Sequence, residues 1–167
     1  MIKLPAGVAR DDIPLDARYQ SVLRGLLTRL RGLYEAIYER FGDAGLDLIR
    51  NSGAAYGAAV ADRARKAGPP WSAQQVGLYL VRVFDNMRSE GEVTEFGERR
   101  VAIMVPRCPY PFTNPDICAA HTAMEAALVR GLNPELDYRI EMCIPRGDDC
   151  CLHVIASPGP VQPAGNR

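Results

Sequence analysis

The run from Arg18 to Phe41 constrains the fold most: Val22, Leu23, Leu26, Leu27, Leu30, Leu33, Tyr34, Ile37, Tyr38 and Phe41 recur three or four residues apart. That spacing gives an α-helix one strong apolar face, which something else apolar must cover. Gly42 and Gly45 interrupt the helix, and a second one is expected from Leu46 to about Lys66, with small residues dominating Gly53 to Ala64. Small side chains there let another helix or a ligand approach closely. Gly68, Pro69 and Pro70 then stop the chain, and Ser72 can cap a third helix from Ala73 to about Arg88, with Val76, Leu80, Val83, Phe84 and Met87 on one side.

The period then changes. Val93 to Val105 alternates around Gly97 as an antiparallel hairpin would, and a proline-dense loop fills 106–115. Asn114 or Asp116 can cap a helix from Ile117 to Arg130 that Gly131 ends, and Tyr138–Ile144 and Leu152–Ala156 read as a second hairpin. The expectation is an α+β domain over 15–157, in which one antiparallel sheet made of two hairpins packs against about four helices. Residues 1–14 read as an N-terminal arm and 158–167, rich in Pro and Gly, as a flexible C-terminal tail. A chain of 167 residues leaves no room for a second domain and needs no disulfide to hold its core.

Twenty basic residues balance twenty acidic ones, so nothing points to nucleic acid. No apolar run approaches the ~20 residues that cross a bilayer, and the first residues lack the apolar segment of a secretory signal. The expected location is the cytoplasm. There thiols stay reduced, so the five cysteines read as metal ligands, nucleophiles or buried apolar groups rather than disulfides.

Three of those cysteines fall in EMCIPRGDDCC, Glu141 to Cys151. Cys143 ends one strand and Cys151 opens the next, while Cys118 and His121 lie about one helical turn apart. Glu141 shares a strand face with Cys143 if the alternation is unbroken. Cys118, Cys143 and Cys151 with Glu141 or His121 would make the tetrahedral set that zinc favours. Packing of small buried thiols at a helix–sheet interface competes evenly. Cys108, in the loop after Arg107, is a candidate nucleophile with His121 or His153 as its base, although plain packing is the simpler account. His153 alternates with Leu152 and Val154 and is expected to face solvent or a partner; Trp71 is expected to anchor packing, and Asp148 and Asp149 to make a turn. The glycine-rich nucleotide signatures, HExxH and GxSxG are all missing from the sequence.

The order of Cys108-Pro109, Cys118 at a helix start, Asn133-Pro134 before a strand, and C-x3-GDD-x-C over Cys143, Gly147, Asp148, Asp149 and Cys151 resembles the L-2-amino-thiazoline-4-carboxylic acid hydrolase family. That family is similar in turn to the 4-vinyl-reductase domain, a small-ligand-binding fold. The resemblance is sharp over Cys108 to Val154 and loose before it. It implies a pocket between helices and sheet, and a zinc ion at Cys118, Cys143 and Cys151 with a glutamate three residues before the middle cysteine. That place holds Ile140 here, which leaves Glu141, His121, Cys150 or water as the fourth ligand.

The implied activity is hydrolysis of a C–N bond in a small heterocyclic or amino-acid-derived substrate, and chemistry and position assign its catalysis to Cys108, His121 and Asp116. A non-catalytic domain that binds or senses a small molecule and carries a structural zinc is the alternative. A zinc-stabilised dimeric scaffold is a third reading, because the apolar face of 18–41 would cover a second subunit as readily as its own sheet.

Overall fold

The computed structural model describes residues 13–65 and 68–157; most of the expected arm and all of the expected tail lie outside the described residues. The order is α1 (Leu15–Phe41), α2 (Asp43–Ala64), α3 (Ala73–Asn86), β1 (Glu92–Phe96), β2 (Arg100–Val105), α4 (Pro115–His121), α5 (Ala123–Leu132), β3 (Asp137–Met142) and β4 (Cys151–Ala156). The four strands form one antiparallel sheet in the order β1-β2-β4-β3, so the two hairpins join through β2 and β4. The α+β expectation holds, with one refinement: the helix expected over 117–130 is two.

Local chemistry sets these boundaries. Ser72 and Gln75 exchange side-chain and backbone hydrogen bonds across the first turn of α3, a full capping box. Asn114 Oδ1 accepts the amides of Asp116 and Ile117, at 2.8 and 3.2 Å, and so starts α4. The α4–α5 break falls at Thr122, whose hydroxyl turns back to donate to the Ala119 carbonyl at 3.1 Å. Such back-bonding bends helices.

The inner face of the sheet packs on α3 and α5, and the main core there includes Val76, Leu80, Val101, Leu128, Val129 and Ile155. Behind α5 runs α2, and the small residues of α2 serve this contact. A Cβ on Gly57 would stand 2.1 Å from the Met124 carbonyl oxygen, and one on Gly131 would stand 2.5 Å from the Ala61 Cβ. Close approach of another helix, one of the two readings of Gly53–Ala64, is thus observed. α1 packs against α2 and α4. A second core, with Leu46, Ile49, Phe112, Ile117, Cys118 and Cys143, fills that side.

β4 is central and buried on both faces: Cys151 and Ile155 belong to the inner core, while Val154 and Ala156 pack with Ala102 on the outer face. His153 is accordingly buried and packs on Phe84 of α3, with ring centroids 4.8 Å apart. The expected solvent-side position for it was wrong because alternation along β4 does not separate core from water. No helix of the described residues is long and apolar enough to cross a membrane.

Candidate functional site

Three of the thiols come together around Cys143. Cys118, presented inward by α4, has its Sγ 3.9 Å from that of Cys143. Cys143 follows the end of β3, and its backbone N–H donates to Asp148 Oδ2 at 2.6 Å, while Gly147 takes a left-handed φ of 99°. Asp148 is thus a turn residue, as expected. Cys151 packs with the other core, yet its sulfur accepts the Ile144 amide at 3.5 Å and also meets the Cys143 thiol in a hydrogen bond. Burial pushes the Cys118 and Cys151 thiols up, which keeps both neutral. Cys150 is half-buried in the turn.

Glu141 does not join them. The register shifts between Ile140 and Met142, and this bulge breaks the alternation that would have put Glu141 beside Cys143. Its carboxylate instead bonds Arg100 at 3.0 and 2.9 Å and Arg139 at 3.0 Å, which holds it below the usual carboxylate range. Among the described residues no group of three or more His, Cys, Asp or Glu is arranged to hold a metal ion, which corrects the expectation of a cysteine-bound zinc.

The residues assigned to catalysis separate as well. Cys108 is half-buried, and burial pushes its thiol up to about 12, opposite to the shift an activated nucleophile needs. Asp116 is exposed on the first turn of α4. His121 is buried against Tyr110, Phe112 and Tyr34, with ring centroids 4.2, 5.2 and 5.8 Å away, and burial lowers it to about 4. No hydrogen bond or ion pair among the described residues joins these three.

What gathers around His121 is instead a buried polar cluster. Glu125 follows it by four residues across the helix break; burial raises its carboxyl to about 7, and burial first and the Glu125 charge second raise Tyr34, Tyr110 and Tyr138. Neither His121 Nε2 nor Glu125 Oε2 has a hydrogen-bond partner among the described residues. Tyr138 and His153 share a hydrogen bond of 2.6 Å. Glu125 escaped the sequence reading, although a lone acid in the apolar run Ala123 to Val129 was its signal.

The outer surface shows a different exception. α1 has 27 residues and none is buried. Leu23, Leu27, Leu30, Tyr34, Ile37 and Tyr38 are half-buried and face the domain. A second stripe, Leu15, Tyr19, Val22, Leu26 and Leu33, is 83, 41, 61, 58 and 56% exposed. The helix thus has two adjacent apolar faces where the sequence was read as having one, and the described residues cover only one.

No family model matches the chain, and no curated protein matches it. Among solved structures, it is similar to trafficking protein particle complex subunit 3 from Naegleria fowleri covalently bound to palmitic acid, with a TM-score of 0.60 and 13% identity over 86% of this chain and 99% of that one. At that identity the likeness is one of fold. The shared fold is that of a trafficking-complex subunit. With the missing metal group, it overturns the reading as a C–N hydrolase with a cysteine-bound zinc, and likewise the zinc-bearing sensor.

Proposed function

We propose that this chain is a non-catalytic assembly subunit that pairs with a second copy of itself along α1. The observation that carries this is the uncovered stripe. Leu15, Tyr19, Val22, Leu26, Arg29 and Leu33 alternate four- and three-residue steps and fall within about 80° of the helix circumference. This is the a/d pattern of a helix seam, with Arg29 as its one polar member. Exposed apolar groups scattered singly need no explanation, but a continuous stripe marks an interaction surface.

A second copy suits it because the stripe is self-complementary. An antiparallel crossing centred on Arg24 would set Leu15 against Leu33, Val22 against Leu26, and Arg29 beside Tyr19, whose ring the chain's own Arg88 already covers on one side at 5.5 Å. Gly25 and Gly32 flank the stripe, and nothing stands within 4 Å of where their Cβ atoms would be. Glycine inside a helix costs roughly 0.5–1 kcal/mol against alanine, and nothing in the described chain offsets that cost. A close-lying partner helix would. The start of α1 is held in place for this by Asp16 with Arg88, and by the Tyr19 hydroxyl with the Asn86 carbonyl. The solved neighbour, a subunit of a complex, supports an assembly role without fixing the partner.

Light scattering on the purified full chain tests this. The expected mass is twice 18.3 kDa, falling to 18.3 kDa in the Val22→Glu, Leu26→Glu variant. A monomeric wild-type chain would overturn the reading. If deleting residues 1–12 turns a monomer into a dimer, the stripe is covered by the chain's own arm.

A further inference from the structure

A cleft of about 730 Å³ opens between α2 and α3, lined by no residue of α1, with Met124 and Leu128 of α5 at its base. Its size suits a small organic ligand, for which pockets of roughly 300–1,000 Å³ are usual. Tyr56 and Val60 of α2 form one wall, and Trp71 and Tyr79 the other. The aromatic wall is built rather than incidental. The Trp71 amide donates to the Leu132 carbonyl at 3.3 Å, and Asn133 Nδ2 donates to the Trp71 carbonyl at 2.8 Å, so the residue is pinned on both sides of its backbone. Its ring meets Tyr79 edge-on, with centroids 5.8 Å apart. Trp71 therefore does anchor packing, yet it stays half-buried, with part of its surface turned to the cleft.

The charge around this cleft is one-sided. Arg63 and Arg82 reach it from opposite walls, and no Asp or Glu lines it. The Arg82 guanidinium lies over the Tyr79 ring, 4.8 Å from its centroid. Neither arginine forms an ion pair with any described residue. Two cations left without counter-charge above an aromatic and aliphatic floor are complementary to an anion on an apolar body. A guanidinium is also the side chain best shaped to receive a carboxylate by two parallel hydrogen bonds.

We infer that the α2–α3 cleft is a binding site for an amphiphilic carboxylate, whose apolar body lies along Val60, Trp71, Tyr79 and Leu128 while its head group meets Arg63 and Arg82. Binding here is independent of pairing through α1, which presents a different helix.

Trp71 is the only tryptophan of the chain and reports occupancy directly. The full-length protein is titrated with decanoate and with 1-decanol while Trp71 emission is followed, for the wild type and for the Arg63→Gln, Arg82→Gln variant. Both arginines are exposed, so the fold should tolerate the change, and far-ultraviolet circular dichroism checks that it does. Decanoate should shift the emission saturably and bind at least tenfold tighter than 1-decanol, and the double variant should erase that difference by weakening decanoate alone. Three results would each overturn the inference: no saturable change with decanoate, equal affinity for the alcohol, or a double variant that binds decanoate as the wild type does. Phosphatidylglycerol vesicles added to the wild type separate a free carboxylate from a bilayer. A Trp71 response to vesicles with none to decanoate would assign the cleft to a membrane surface and also overturn it.

Discussion

The interior around Glu125 and the outer stripe of α1 break opposite rules of folding. The first buries polar atoms without partners, and the second exposes apolar side chains in a continuous row. A buried polar cluster is the usual mark of chemistry. Here its members are held apart in function: Cys108 is held as a neutral thiol, His121 is left neutral but a weak base, and Asp116 lies at the surface. The outer stripe is continuous and self-complementary. The comparison teaches that reactive residue types do not make a site unless geometry and protonation agree, whereas an unpaired surface needs only continuity.

The largest expected effect comes from closing the helix contact that underlies the interior. Gly57→Val would drive a side chain into the Met124 carbonyl, and should cost on the order of 3 kcal/mol or more in denaturant melts without altering the α1 stripe. Next is Glu125→Gln. The carboxyl is raised in the folded state to about 7, so folding favours its protonated form, and stability falls as pH rises from about 4.5 to 7. The variant should be more stable than the wild type by about 3 kcal/mol at pH 8 and no more stable at pH 4. Equal stability at both values would mean that the carboxyl is not desolvated. His121 and His153, both lowered to about 4, act in the other direction: they lose stability for the chain as pH falls from about 6.5 toward 4.

Smaller effects sharpen the contrast. Asn114→Ala removes the acceptor for two amides at the start of α4 and should cost about 1 kcal/mol. Gly25→Ala with Gly32→Ala should raise the stability of an isolated chain by roughly 0.5–1 kcal/mol each, since helix propensity improves and no described neighbour is met. If these glycines admit a partner helix, the same pair of changes weakens dimerisation. A variant with a higher melting point and an unchanged dimer would remove them from the seam.

The element order was legible in the sequence because each helix and strand carries its own period and its own stop, such as Pro69-Pro70 before Ser72. Three failures have a common cause, which is that local patterns do not encode register or depth. The bulge between Ile140 and Met142 moved Glu141 away from the cysteines. His153 alternates with apolar residues but lies in a strand covered on both faces. Thr122 splits a helix whose apolar period runs through it unbroken. Of the candidate site, the approach of Cys118 to Cys143 was legible. The neutral state of the Cys118 and Cys151 thiols was not, because it depends on burial in two cores that no single segment contains.

The most direct test of the central claim is amide hydrogen exchange of the wild-type chain across a wide range of protein concentration. Pairing through α1 predicts that protection of residues 15–33 rises with concentration while β2 and β4 exchange at one rate throughout. Protection of α1 that does not change with concentration, or a concentration-dependent rise confined to another element, would contradict it.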